Sequence, residues 1–445
     1  MFFYLSLFFV FQFTDHKAFA AVQTDVLKNV STSTYPYKLL RIKDGAGLET
    51  YALWIPPKYG NSVVLMTQPY TGIDWTGLQL DTNVAAMPDA KTLGIIEDLY
   101  GPLYEAGKSQ KIFYSYKTPD EIIPEGIPFL VNGMGVLFVF ERFYAGGSML
   151  QDANETALAL EFLGTQASVD PQMIGIWGAS WGGFEALHGA ARAKANVKPK
   201  YGVAWMPMIN VGRFWNDITK DYYVRFQSNP SSQTLAYVKL EPYARRAAVS
   251  AWSTTTQSMD FSKFGPAFLS NNLTTRFLIL HDEWDTIVPK EHTLDLVASM
   301  TPSRIDSFIV PRATPIDYSR FTIDHFPVKE TPNYDNWGSA QFAYAYLIER
   351  LAPRSASYWV SYYDSNELWA LLTHMKTIKM GGRNINSIVQ RLIDLCDPKL
   401  KLADITGNIK DVLDGKIIVS VYVNAVFGLT TTPENVATYL QTSGL

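Results

Sequence analysis

Apolar residues fall along this chain in two rhythms. Short, nearly continuous apolar runs recur at VVLMTQPY (63–70), VLFVFE (136–141), MIGIW (173–177), GVAWM (202–206), RFLILHD (276–282) and DSFIVP (306–311). A run that is polar on neither face reads as a strand buried on both, as in a parallel sheet covered by helices. Between several of these runs lie amphipathic stretches with helical spacing, such as ETALALEFLGTQ and GFEALHGAARAKA. The alternation predicts an α/β fold, a mostly parallel doubly wound sheet. Its start is antiparallel, because YKLLRIKDG and LETYALWIP alternate around Asp44-Gly45-Ala46-Gly47, a glycine-bearing hairpin turn.

Two intervals break the rhythm. The stretch from residue 207 to 275 is too long for an ordinary crossover and is rich in Trp, Tyr and Phe (GRFWNDITKDYYVRF, YVKLEPYARRAAVSAW), so it predicts an inserted helical cap. From about Pro332 the pattern turns mostly helical (AQFAYAYLIERL, SNELWALLTHMKTI, INSIVQRLIDLC), with one strand-like run, KIIVSVYVN (416–424). The Met380-Gly381-Gly382-Arg383 break predicts a turn between helices. The expected organisation is therefore a core of 21–206 and 276–331, a cap of 207–275 and a helical C-terminal extension of 332–445, the segment through which a homo-oligomer would form.

The N-terminus carries an address. FFYLSLFFVFQF (2–13) is apolar, and Ala18-Phe19-Ala20 supplies an A-x-A cleavage pattern. The run falls short of the ~20 residues a membrane-spanning helix needs, so residues 1–20 read as a cleaved signal peptide and the protein as exported. No Lys or Arg precedes the run, which leaves an uncleaved anchor as the alternative; after cleavage no stable membrane insertion is expected.

Composition narrows the function. The 445 residues carry a net charge of −4, which argues against the basic face of a nucleic-acid binder. Charged residues make up 18% and aromatics 14%, so many rings must line a core or a pocket. The single cysteine, Cys396, excludes an intrachain disulfide and leaves stability to core packing. Glycosylation triplets start at Asn29, Asn154 and Asn272. His and Cys pairs at ligand spacing, phosphate loops and dinucleotide fingerprints are all missing from the sequence, so no metal or cofactor is expected.

The chemistry centres on IGIWGASWGGFEALHGA (174–190). Here a G-x-S-x-G string follows a strand-like run and opens a helical pattern. In that context Gly178 and Gly182 relieve the crowding of a sharp turn and Ser180 becomes a candidate nucleophile above the C-terminal edge of the sheet. A serine needs a base, and the base an orienting carboxylate, in the order Ser, Asp or Glu, His. Of the six histidines, His188 lies too far down the following helix, His281 ends a strand where it would orient a loop, and His292 and His374 fall in helical runs. His325, in the loop FTIDHFP beyond the last core strand, is the expected base. HDEWDTIVP offers Asp282, Glu283 and Asp285 as the acid; the I-V-P entry into a helix favours Asp285, with Asp282 and Asp324 as alternatives. The oxyanion requires two donors: the backbone N–H of Trp181, and a second from the loop around Gln68–Gly72, where Tyr70 is the candidate side chain. The indole of Trp181 is expected to shape an acyl pocket.

Taken together, IKDGAGLETYALWIP, VVLMTQPYTGID, GVLFVFERFYAGGS, IGIWGASWGGFEAL and HDEWDTIVP resemble the X-prolyl dipeptidyl-peptidase and cocaine-esterase family of α/β-hydrolases, over residues about 40–330. The resemblance implies an α/β-hydrolase fold, Ser180 as nucleophile, Asp285 as acid, His325 as base and Tyr70 of the Pro-Tyr pair as oxyanion donor. It departs from the family at Glu141–Ser148, at Trp181, where Tyr is usual, and in the missing C-terminal jelly roll. The expected function is a serine hydrolase acting on a small ester, amide or short peptide, carboxylesterase-like. The alternatives are an X-Pro dipeptidyl-peptidase-like aminopeptidase and a non-catalytic binding protein on the same fold.

Overall fold

A computed structural model of the chain describes residues 22–33, 35–58, 60–69, 71–73, 115–130, 133–143, 147–218, 241–282, 285, 288–301, 304–310, 343–344, 346–348, 350–351, 379–380 and 383–384. The strands of the main sheet are β1 (Gln23–Val30), β2 (Tyr37–Lys43), β3 (Glu49–Ile55), β4 (Val63–Thr67), β5 (Gly135–Phe140), β6 (Ile174–Ala179), β7 (Tyr201–Trp205), β8 (Arg276–Asp282) and β9 (Ile305–Val310). They lie in the order β1-β2-β3-β5-β4-β6-β7-β8-β9. The pairs β1/β2, β2/β3 and β3/β5 are antiparallel, and every later pair is parallel. This is the predicted doubly wound sheet with an antiparallel start.

Strand composition follows position. β4 and β5 are buried at every residue, as their unbroken apolar runs require. β1 is the exception: QTDVLKNV sits at the sheet edge with mostly exposed side chains and has no apolar run to announce it. Its Asp25 carboxylate accepts from Arg41 at 2.7 Å and pairs with Lys43 at 2.8 Å on β2, and such edge charges discourage pairing with another chain. The β2–β3 turn is held by Asp44, whose Oδ1 accepts from the N–H groups of Ala46 and Leu48, both at 2.8 Å.

Helices cover both faces. Seven are described: α1 (Pro119–Leu130), α2 (Met149–Thr165), α3 (Trp181–Arg192), α4 (Val211–Asn216), α5 (Glu241–Ala251), α6 (Pro266–Asn272) and α7 (Glu291–Ser299). Side chains alternate across a strand, so Ile174 and Ile176 of β6 join the core cluster with α2 and α3. Gly175 and Trp177 face the other way. There Leu351 packs on Gly175, and the Tyr344 ring stacks on Trp177 with centroids 5.7 Å apart. Residues 343–351 are helical wherever described, in line with the helical reading of AQFAYAYLIERL. The Met380–Arg383 break differs from expectation: Lys379–Met380 pairs antiparallel with Arg383–Asn384, so strands rather than helices flank it. The signal segment, residues 219–240 of the cap and KIIVSVYVN lie outside the described residues.

The described part of the 207–275 interval is helical at α4 and α5 and sits over the C-terminal side of the sheet. Phe214, Trp215, Ala244, Ala248 and Phe264 close a second hydrophobic cluster around Trp181 and Phe184 at the start of α3. Leu269 of α6 and Leu273 instead pack into the main core. No helix among the described residues is long and apolar enough to cross a membrane.

Candidate active site

The strand order creates the site. From β4 the chain steps to β5 on one side, then crosses back to place β6 on the other, so the loops leaving β4 and β6 diverge. In open α/β sheets the crevice outside such a switch point, at the carboxyl ends of the strands, receives the ligand. The β4 loop carries Gln68 and leads to Tyr70; β6 ends at Ser180.

Ser180 sits at φ 55° and ψ −121°, a backbone conformation that L-residues with side chains rarely adopt. Its neighbours hold it there. The Ser180 N–H donates to Trp205 O at 2.9 Å, and Ser180 O accepts from the N–H groups of Gly183 and Met208, both at 3.0 Å. Gly178 makes the turn possible: a Cβ there would lie 2.0 Å from the Gly182 carbonyl oxygen. Thr67 at the end of β4 donates from Oγ1 to that same oxygen at 3.0 Å. The strained strand–turn–helix geometry expected of the G-x-S-x-G string is present.

Trp181 is the first residue of α3, so its N–H lies at the positive end of the helix dipole, a favourable place for a developing oxyanion. Its indole ring is 2% exposed, stacks on Phe143 with centroids 4.2 Å apart and on Phe184 at 4.6 Å, and donates from Nε1 to Asp152 Oδ2 at 3.0 Å. Through these contacts it anchors the elbow. A Trp in place of the more usual Tyr puts a ring N–H within reach of that buried carboxylate.

Asp285 follows the end of β8, two strands from β6, and is buried. Its Oδ1 accepts from the Val288 N–H at 2.8 Å, which fixes the carboxylate in its loop. His281 braces the same loop. Its Nε2 lies 2.6 Å from Val288 O and must donate there, Nδ1 is hydrogen-bonded with Thr293 Oγ1 at 2.8 Å, and the nearest Asp285 oxygen is 3.8 Å away. His281 thus orients a loop, as its position at the strand end suggested. His188 is a core residue, stacked against Phe268 and contacting Arg192 through Nδ1 at 2.9 Å, and burial holds it neutral, well below the usual histidine range. His292 accepts through Nδ1 from the N–H of Asn210 at 3.1 Å. His325, His374, Tyr70 and Asp324 lie outside the described residues.

Beneath the elbow lies a feature the hydrophobic pattern did not announce. Glu141, Asp152, Glu155 and Glu185 are fully buried together. Asp152 Oδ1 accepts from the N–H groups of Arg142 and Phe143 at 3.1 and 2.7 Å. Arg142 donates from Nε to Glu155 Oε1 at 2.8 Å. Burial pushes Asp152 up to about 6 and Glu155 up to about 8, the latter against the pull of the Arg142 guanidinium; Glu141 and Glu185 are raised well above the usual range, by burial first and then by neighbouring carboxylates. The signal in the sequence was an acidic residue within otherwise apolar stretches, FVFE and GGFEAL. Among the described residues no group of His, Cys, Asp and Glu is arranged to hold a metal ion.

Residues 140–310 match the profile of the prolyl oligopeptidase family. That span contains the elbow, the 207–275 interval, Asp285 and β9. A comparison with curated protein sequences gives no match. Among solved structures, acetyl xylan esterase 1 from Thermoanaerobacterium sp. JW/SL YS485 is 14% identical over 69% of this chain and 89% of its own, with a TM-score of 0.39. Dipeptidyl peptidase 4 of Porphyromonas gingivalis is 17% identical over 62% of this chain and 32% of its own, TM-score 0.35. The acylaminoacyl peptidase of Pyrococcus horikoshii is 14% identical over 73% and 43%, TM-score 0.40. Likeness at that level says nothing about a substrate. The sheet order, the serine elbow and the family match make the core an α/β-hydrolase fold and the protein a serine hydrolase.

Proposed function

We propose that the protein cleaves small carboxylic esters through an acyl-enzyme on Ser180. The observation that carries this reading is the strained serine at the end of β6, facing the switch-point crevice, with the buried carboxylate of Asp285 beyond β8. In the proposed reaction Ser180 Oγ attacks the carbonyl carbon while His325 takes its proton. The tetrahedral oxyanion is held by the Trp181 N–H and the Tyr70 phenol. His325, oriented by Asp285, then protonates the leaving alcohol and activates the water that releases the acid. His325 and Tyr70 enter on sequence order and family resemblance alone.

The choice of ester rests on the aromatic character of the cap, which suits an apolar acyl or aromatic group. A second reading, cleavage of X-Pro amides, is favoured by the prolyl oligopeptidase match and by the resemblance to X-prolyl dipeptidyl-peptidases. A fluorophosphonate probe tests the nucleophile. Wild type should be labelled and Ser180→Ala should not, with kcat falling by about 10⁶ in the variant. Labelling that survives the substitution refutes Ser180. Comparing short-chain aryl esters with X-Pro-anilides then separates the two substrate classes.

A further inference from the structure

The buried acid cluster reaches both sides of the expected oxyanion hole. On one side Asp152 holds the Trp181 indole through Oδ2. On the other, Glu141 Oε2 accepts from the Gln68 N–H at 3.2 Å, a donor shared with Val139 O at 2.8 Å, just ahead of Tyr70. Glu141 Oε1 accepts from Thr156 Oγ1 at 2.9 Å. Between them stands Glu185, one turn along α3 from Trp181.

Glu185 is the odd member. It is 0% exposed, and neither of its oxygens receives a hydrogen bond from a donor among the described residues. Among the described residues, the carboxyls of Asp152 and Glu141 lie within its reach. Three carboxyls in contact in a dry site cannot all be ionised, and an uncharged carboxyl becomes a donor. Asp152 already accepts three N–H bonds, which makes it the member that keeps the negative charge. The protons therefore reside on the other two.

We propose that Glu185 is a positioning residue, a protonated acid that donates to the Asp152 carboxylate and accepts from the Glu141 hydroxyl, so that one chain of carboxyls ties the Trp181 elbow to the Gln68 loop. The titratable groups facing this chain are Arg142 just beyond β5, Glu155 on α2, and Glu49 on β3, which lies 3.9 Å from Arg142. Arg142 is engaged with Glu155, so among the described residues no cation is left to stabilise an ionised Glu185. The link sets the distance between the loop bearing one oxyanion donor and the helix start bearing the other. It rests on the reading of Ser180 and Trp181 given above.

Glutamine is the discriminating replacement, because its amide presents a donor and an acceptor in the shape of the protonated acid and cannot ionise. Glu185→Ala breaks the chain and should lower kcat for an aryl ester by roughly 10- to 100-fold, with KM within about twofold, as misplacement of a reacting group by an ångström does. Glu185→Gln should restore most of that loss. The infrared C=O stretch of a protonated buried carboxyl, present in wild type at neutral pH, should lose one component in Glu185→Gln. A carboxylic-acid band unchanged in Glu185→Gln overturns the proposal, as do equal losses of kcat in the two variants. If Glu185→Ala does not fold, the infrared comparison decides alone. That measurement needs no substrate, so it is independent of the fluorophosphonate test of Ser180.

Discussion

Replacing Gly178 by alanine probes the elbow at its tightest point. The added Cβ would lie 2.0 Å from the Gly182 carbonyl oxygen, 2.4 Å from its carbon and 2.6 Å from Thr67 Oγ1. A carbon and a carbonyl oxygen ordinarily approach no closer than about 3.3 Å. The difference, roughly 1.3 Å, must come from main-chain movement, because the two closest contacts are backbone atoms. Gly182 lies two residues from Ser180, so the movement displaces the serine itself. A misplacement of an ångström costs about 10²-fold in rate, and overpacking at a tight site about 1–3 kcal/mol in stability. Gly178→Ala should therefore lower kcat/KM for an aryl ester by about 10²-fold or more and lower Tm by several degrees, read by initial rates and calorimetry. The control is Gly212→Ala on α4, where the nearest atom to an added Cβ is 3.4 Å away. It should be neutral or slightly stabilising, because alanine favours a helix over glycine. A Gly178→Ala enzyme with wild-type rate and Tm would refute the tight turn.

Two further substitutions test the buried acids. Trp181→Phe keeps an aromatic ring against Phe143 and Phe184 but removes the Nε1–H bond to Asp152, and loss of a hydrogen bond to a charged group costs about 1.5–3 kcal/mol; urea unfolding indistinguishable from wild type would contradict the anchor. Above about pH 4, and until their own raised values of about 6 and about 8 are reached, Asp152 and Glu155 hold protons in the folded state that the unfolded chain has already released. Their contribution to stability is thus complete below the ordinary carboxylate range near pH 4 and is lost as pH rises through 6 and then 8. Tm should fall across that window, with Glu155→Gln flattening its upper half; an unchanged slope in the variant would remove Glu155 from the account.

Legibility in the sequence tracked burial chemistry. β4 and β5 were plain as apolar runs because both faces are covered, and the Asp44 hairpin because its turn residues are specific. β1 escaped because an edge strand with Asp25 and Lys28 needs only pairing with β2, which leaves no hydrophobic trace. Ser180 was legible through its flanking glycines, since main-chain crowding restricts them. The four buried acids were not, because a lone Glu in GGFEAL reads as surface until packing shows that Asp152 and Glu141 meet it.

The hydrogen bonds that continue beyond the strand ends, Ser180 N–H to Trp205 O, Met206 N–H to Leu280 O and Met208 N–H to Ser180 O, are all between main-chain atoms. They fasten the ends of β6, β7 and β8 into one unit, so the serine and the loop that begins after β8 share a common footing. A footing made of peptide groups is indifferent to which side chains decorate it. Over evolutionary time, or in a directed library, side chains of the 207–275 interval can be exchanged without re-solving the alignment of the strand ends beneath. Divergence in such a scaffold is inexpensive, and the place to look for it is the side chains of the 207–275 interval rather than the sheet.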